Sequence, residues 1–363
     1  MQARSPITDI PKPKGIQKKK NKILFLCLLG FVTLIIAFFG LLIGPSSLTF
    51  KEGFLALFGQ GEDVALRIVW NIRMPRVLAG LLAGASLAVS GLIMQTTLGN
   101  IMASPSTLGV SNAAIFGANI SMILVAGGFI QTGNNPKNLT AGLNPYAASG
   151  MALVFALISI LIILALSTIR KFSPNVVVLA GIGIGAVWTA GTSLLQYYAS
   201  DVGLTAAVVW NFGDLSRATY QHCLLMFGVL IVAVTFFVLF SWRYNALLGG
   251  EEYAKSLGVR TSLLRFVSLF LASVLTAVSI SILGVIGFVG IICPHIIRRI
   301  IGHDHRFSIS GSLIAGSFLL VLADLIGRLI GGGSTLPVGA ITAIIGAPFF
   351  LYLIFAKREE PHA

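Results

Sequence analysis

The chain has 363 residues, 56% hydrophobic and only 10% charged, with a mean hydropathy of +0.93. An ordinary soluble domain carries about 25% charged residues, so a soluble enzyme, a disordered chain and a disulfide scaffold are excluded. The net charge of +13 would suggest nucleic acid in a soluble protein, but in a polytopic membrane protein it reads as Lys and Arg gathered on cytoplasmic loops, and no nucleic-acid partner is expected.

In chain order, residues 1–22 form a basic tail with Lys12, Lys14, Lys18, Lys19, Lys20 and Lys22. The apolar run 23–44 is too long for a signal-peptide core of about 7–15 residues, and no small-x-small cleavage site follows it. It is read as a retained first span. Further apolar runs predict spans at 77–97, 107–128, 145–168, 176–198, 222–242, 265–283, 285–301, 309–328 and 337–356. At about 20 residues each, ten spans make one transmembrane domain over 23–356, with a second short tail at 357–363. The break between the seventh and eighth spans, Ile282-Leu283-Gly284-Val285, offers glycine but no polar loop. Ten spans put both termini on one side. Eighteen of the 25 Lys and Arg then fall inside, whereas the 12 acids divide evenly; this places both termini in the cytoplasm.

Cys27, Cys223 and Cys293 lie far apart without a CxxC pair and read as apolar fillers. Much of the glycine lies within spans, as in Gly80-x3-Gly84 and Gly181-Ile182-Gly183-Ile184-Gly185, where small residues let helices approach closely in lipid. Asn138-Leu139-Thr140 is a glycosylation sequon by pattern only, without meaning in a bacterium.

The membrane interior is poor in charge. Asp324, near the outer end of the ninth span, is the one acid within a span. Ion-coupled carriers usually need intramembrane ionisable groups, which argues against a secondary transporter. His222 and His295 are single histidines without HExxH or a carboxylate partner, which argues against a membrane hydrolase. The longest predicted cytoplasmic loop, 243–264, nearly matches a phosphate-binding GxxxxGK[ST] from Gly249 to Ser256. It fails at Ala254, and no strand precedes it, so the chain has no ATP site of its own. Within this loop a short helix fits, with Glu251 and Glu252 at its amino end, Lys255 in the middle and Gly258 as a stop. On pattern alone a solvated surface loop fits as well.

Several segments together resemble the FecCD-type permeases, the membrane subunits of ABC importers for iron-siderophores, haem and cobalamin. Arg73-Met74-Pro75-Arg76 resembles that family's RLPR, and Gly84 to Gly91 with Gln95 its GAxLAxSGxxxQ. Leu108-Gly109-Val110-Ser111 resembles its LGVS, and residues 250–259 its GEExAxxLGV loop. Gly287-Phe288-Val289-Gly290 through Pro294-His295 and Arg298 resembles its GFVGLxxPHxxR. Asp324, Arg328, Leu336-Pro337-Val338-Gly339 and Gly346-Ala347-Pro348-Phe349-Phe350 complete the match, which covers roughly residues 65–355.

The resemblance implies an all-α polytopic fold of ten transmembrane helices, the type II ABC importer permease fold, in a bacterial cytoplasmic membrane. It implies two ATPase subunits, which use ATP and Mg while this chain binds no cofactor. It also implies a second permease subunit, identical or paralogous, and an extracytoplasmic substrate-binding lipoprotein. By resemblance, Gly250, Glu251, Glu252, Ala254, Leu257 and Gly258 dock on the ATPase. Arg73, Arg76 and Arg328 form a basic rim that meets glutamates of the binding protein; lipid snorkelling is the plainer reading of the same arginines. The family's Asn-Pro-Leu-Ala stands here as Asn100-Ile101-Met102-Ala103, so Asn100 and Met102 are expected at the cytoplasmic gate, with Pro174 and Asn175 as its second element. The expected cargo is a ferric siderophore, with haem or cobalamin as the alternative. The resemblance assigns no role to Pro294-His295 or to Trp210-Asn211-Phe212-Gly213-Asp214.

Overall fold

The computed structural model describes residues 14–45, 48–125, 145–169, 173–331 and 335–355. Residues 1–13 of the basic tail, the Asn138 sequon, Arg170, Lys171 and the tail at 357–363 lie outside them. Among the described residues the regular elements are helices. They run α1 (Lys14–Leu42), α2 (Phe50–Leu57), α3 (Asp63–Arg67), a π-helical turn (Ile68–Arg73), α4 (Met74–Thr97), α5 (Val110–Asn119) and a second π turn (Ile120–Val125). There follow α6 (Pro145–Ile169), α7 (Pro174–Tyr197), α8 (Asp201–Asn211), a 3-10 turn (Leu215–Arg217), α9 (Tyr220–Leu239), α10 (Ser241–Leu248) and α11 (Glu251–Ser256). The chain ends in α12 (Thr261–Leu283), α13 (Val289–Ile301), α14 (His305–Ile330) and α15 (Val338–Phe355).

Among the described residues seven helical stretches are long and apolar enough to cross a membrane, Asp63–Thr97 among them. Helices α5, α13 and α15 take the three remaining places in the predicted series of ten. The 13 residues of α13 rise only about 20 Å, less than the roughly 30 Å hydrocarbon core. The eighth span thus begins at Val289, not at 285. Gly284 and Phe288 both take positive φ, 82° and 66°, and turn the chain without a polar loop. Helices α2, α3 and α8 were not expected. The first starts on a capping box, in which Thr49 and Glu52 bond each other's backbone N–H, and α8 starts on the Ser200 side chain, so each has the short polar signal that opens a helix.

The core is built around α4, whose spanning stretch is the most buried of the seven among the described residues. Its small-residue face allows backbones to touch, the closest route to dispersion contact in lipid. A Cβ on Gly84 would meet the Gly316 carbonyl oxygen of α14 at 2.2 Å, and one on Gly91 would meet the Gly290 carbonyl oxygen of α13 at 1.8 Å. That second crossing explains Pro294. Proline has no N–H, so the carbonyl four residues earlier, that of Gly290, loses its helical donor. Gln95 supplies a replacement, its Nε2 donating to Gly290 O at 3.1 Å.

The segment 210–214 closes the opposite end. Gly213 takes φ 71°, and a Cβ there would strike Val285 O at 2.5 Å. Asp214 N donates to Leu283 O (2.7 Å), and Val338 N to Gly213 O (3.1 Å). This segment is therefore a backbone knot that joins the exits of α8 and α12 to the entry of α15.

Candidate functional site

Three groups of residues singled out by sequence fall at the two ends of the bundle. The first surrounds the turn after α4. Asn100 and Met102 line a cavity of about 370 Å³ together with Gly109, Asn112, Gly181 and Gly185. Asn100 shapes its own turn, its side-chain oxygen accepting from Met102 N at 2.9 Å. Across the cavity α7 packs tightly. Gly109 has φ 72°, and a Cβ on it would lie 2.9 Å from both Gly181 O and Gly185 Cα. Asn112 Nδ2 donates to Gly185 O (3.2 Å) and to Thr189 Oγ1 (3.1 Å). The 181–185 glycine run is therefore an interhelix contact facing the turn. Pro174 and Asn175 do not line this cavity. They form the first turn of α7, where proline's missing N–H costs nothing.

The second group is the loop after α9, which folds as α10 and α11 joined through Gly249 and Gly250. Gly250 (φ 102°) opens α11 and Gly258 (φ 79°) follows it, the helix and stop expected from sequence. Ala254 is fully buried and anchors α11; Tyr253, Leu257 and Glu252 face outward. Glu251 turns inward instead. Its carboxylate meets Arg265 at 3.2 Å and Lys255 at 3.1 Å and accepts from Thr261 Oγ1 at 3.3 Å. Burial alone would raise the Glu251 pKa, but hydrogen bonds from Lys255 and Arg265 outweigh it and hold the carboxyl below its ordinary value.

Arg265 carries this contact onward. Its side chain is buried, and Nε donates to the carbonyl of Thr97, the last residue of α4, at 2.8 Å. Helix α10 reaches the neighbouring residue by a separate route. Asn245 Oδ1 pairs with His305 Nδ1 (2.9 Å), and His305 Nε2 with Thr96 Oγ1 (2.8 Å). Asn245 Nδ2 also donates to Asp304 (2.8 Å), whose pKa is lowered: burial opposes this, and the bonds from Asn245 and Arg306 N prevail. The two short helices are thus wired to two consecutive residues, Thr96 and Thr97. Two residues further on lies the turn that holds Asn100. Arg265, Asn245 and His305 were not among the sequence candidates. The signal for them is weak, because each gains meaning only from a partner distant in sequence.

The third group is the arginine set at the other end. Arg73, Arg76 and Arg328 do come together, but they point inward. Arg76 bonds Asp324 through Nε (2.9 Å) and pairs with it through a second nitrogen (2.8 Å), and lies 3.9 Å from Asp214. Arg328 pairs with the other Asp324 oxygen, Nε donating at 2.8 Å across one helical turn (i,i+4). Arg328 Nη1 also donates to Gly40 O (2.7 Å) and Ile43 O (3.1 Å), and Arg73 Nη1 to Leu41 O (3.0 Å). These are the orphan carbonyls at the end of α1. All three arginines are buried, so the exposed basic rim expected of them is not what their side chains build. They clamp α1 to α4 and α14. Cys223 and Cys293 are buried and Cys27 is exposed, all as free thiols.

Residues 32–356 match the FecCD transport family. The chain is 43% identical to an ABC transporter permease protein of Methanocaldococcus jannaschii, covering 97% of this chain and 99% of that protein. It is 32% identical to a hemin transport system permease of Yersinia pestis (92% and 96% covered) and 31% to a vitamin B12 import system permease of Vibrio cholerae (85% and 89%). Among solved structures, an inward-facing metal-chelate type ABC transporter superposes with a TM-score of 0.77 at 27% identity, over 92% of this chain and 99% of that one.

Proposed function

The chain belongs to the FecCD transport family as a multi-pass ABC importer permease, and from that premise we propose that it moves a ferric siderophore into the cytoplasm. The observation that carries the coupling half of this reading is the pair of routes from α10 and α11 to Thr96 and Thr97. In this reading partner ATPase subunits press on α11 through Glu252, Tyr253 and Leu257. Movement of α11 pulls Glu251 and Arg265, and Arg265 pulls the end of α4 and the Asn100–Met102 turn. The cavity beside that turn then opens or closes against α7. A second permease subunit would face the exposed side of α7, on which Ile182, Val187 and Leu194 stand free in the single chain. Both termini and the α10–α11 pair are assigned to the cytoplasm on the distribution of Lys and Arg.

An extracytoplasmic binding protein would meet the end that carries Arg73, Arg76 and Arg328. Because those guanidinium groups are engaged internally, we assign them the task of fixing the shape of that face. The cargo is assigned to the ferric chelates as the commonest cargo of the family; the neutral groups of the gate cavity, Asn100, Met102 and Asn112 among them, are compatible with a large cargo that brings its own polar shell. Haem and cobalamin remain the alternative cargoes. The test is radiolabelled uptake of ferric siderophores, haem and cobalamin in a deletion strain complemented with the gene. Siderophore uptake that requires this chain supports the assignment; uptake of haem or cobalamin alone overturns the cargo while leaving the permease role intact.

A further inference from the structure

A cavity of about 290 Å³ opens where α9 ends and α12 begins, beside the exit of α11. That is many times the roughly 15 Å³ that admits one water, and enough for a phosphate with its glycerol. Its apolar wall comes from Phe236, Phe240 and Leu264, and its charge from Arg243 and Arg260. Neither arginine has an acidic partner within 4 Å among the described residues. The Arg243 guanidinium instead lies over the Phe240 ring at 4.4 Å and near the Trp242 ring at 5.3 Å, and its Nε is buried with no hydrogen-bond partner. A buried unpaired donor on a cation is costly, so the site is chemically incomplete as it stands and asks for an acceptor anion.

The surroundings say which anion. The cavity lies at the ends of two spans, at the level where a helix leaves hydrocarbon. Leu263, which lines it, is 55% exposed, Leu239 at the end of α9 is 68% exposed and Trp242 is 45% exposed, as befits a tryptophan in the headgroup belt. A soluble phosphate would use the two arginines but not this apolar approach. Planar guanidinium groups suit phosphate oxygens, and basic pockets between spans on the cytoplasmic side suit anionic headgroups. We propose that this cavity binds the phosphate headgroup of an anionic phospholipid, whose acyl chains run along the exposed faces of α9 and α12. Since Gly258 and Arg260 lead directly out of α11, the bound lipid would tie the exit of the coupling helix to the membrane boundary. The inference concerns this chain's own surface and is independent of the cargo.

The test uses the full-length permease in its assembled complex, purified in mild detergent and mixed with phosphatidylglycerol or phosphatidylcholine, with bound lipid counted by native mass spectrometry. The wild type should hold phosphatidylglycerol in preference to phosphatidylcholine. R243Q/R260Q should bind it about 30-fold more weakly, at about 1 kcal/mol per arginine, with phosphatidylcholine unchanged. Because Arg243 also stacks on Phe240, R260Q alone provides a variant that leaves the packing intact, and it should lose about five-fold or more. Inorganic phosphate at millimolar concentration should not displace the lipid. Equal retention of phosphatidylglycerol by wild type and both variants would overturn the proposal and leave the groove to a protein partner. Full displacement by inorganic phosphate would overturn the lipid assignment.

Discussion

The two ends of the molecule use the same chemistry, arginine against carboxylate, to opposite purposes. At the end where α1 finishes, Asp324 is 2% exposed and holds the guanidinium groups of Arg76 and Arg328, the second of which also donates to the last carbonyls of α1. At the opposite end Glu251 is 36% exposed and shares its carboxylate between buried Arg265 and half-exposed Lys255. A fully buried pair is rigid because neither ion can leave without an uncompensated charge. A pair at the surface can exchange its partners for water at little cost. The Asp324 cluster is therefore a lock, whereas the Glu251 cluster is free to serve as the lever of the proposed coupling, and burial makes the difference.

The largest effect should follow from breaking the lock. In Asp324→Asn, Arg76 and Arg328 lose their shared counter-ion inside the fold, which costs about 3–5 kcal/mol. Thermal unfolding of the purified protein should shift down strongly, with loss of membrane-inserted material. A D324N protein of wild-type stability would show that water reaches the cluster and that it is no lock.

Next comes the lever. Arg265→Gln removes a charged donor from Thr97 O and from Glu251, a loss of about 1.5–3 kcal/mol, yet the helices keep their packing. The expected phenotype is ATP hydrolysis in the complex without matching uptake, partly rescued by R265K, whose single amine can serve one of the two acceptors. If hydrolysis and uptake fall together and R265K rescues neither, Arg265 is only structural.

How much of this was legible in the sequence follows the same division. The spans, the helix opened by Glu251 and Glu252 and ended at Gly258, and the i,i+4 pair of Asp324 and Arg328 depend on neighbours in the chain, and periodicity, charge and turn residues report them. The inward aim of Arg73 and Arg76 was not legible, because their partners lie 32 and 248 residues away; two arginines at a span end read as well for a rim as for a clamp. Likewise Pro294 looked like a hallmark without a role until Gln95, on another helix, supplied the donor its backbone lacks. The Thr96–His305–Asn245 route spans three helices and leaves no local pattern.

A smaller effect should appear with pH. The Glu251 carboxyl is held below its ordinary value. A group with a depressed folded pKa stabilises above its unfolded value, near 4.3 for glutamate, and that contribution is lost as pH falls through the folded pKa. The stability difference between wild type and Glu251→Gln should therefore be constant from pH 8 to about 5 and shrink only below the ordinary glutamate range. A difference that shrinks already near neutral pH would mean that Glu251 is not engaged by Arg265 and Lys255.

The smallest effect on the fold, and the sharpest on function, is expected at Glu252. It stands beside Glu251 in sequence, but its side chain is 90% exposed and, among the described residues, pairs with Lys255 at 3.0 Å. An exposed pair of this kind, screened by water and salt, contributes little to stability, so Glu252→Lys should leave the unfolding temperature nearly unchanged. Its position on the outer face of α11, beside exposed Tyr253 and Leu257, is that of a contact residue. Charge reversal there should weaken co-purification of the ATPase subunits and cut uptake, more so at low salt, where surface charges are less screened. Glu251→Lys should do the reverse: it sets a cation against Arg265, lowers stability measurably and leaves the outward face of α11 unaltered. If the two variants behaved alike in both assays, the inward and outward sides of α11 would have no separate tasks, and the lever would lose its defining feature.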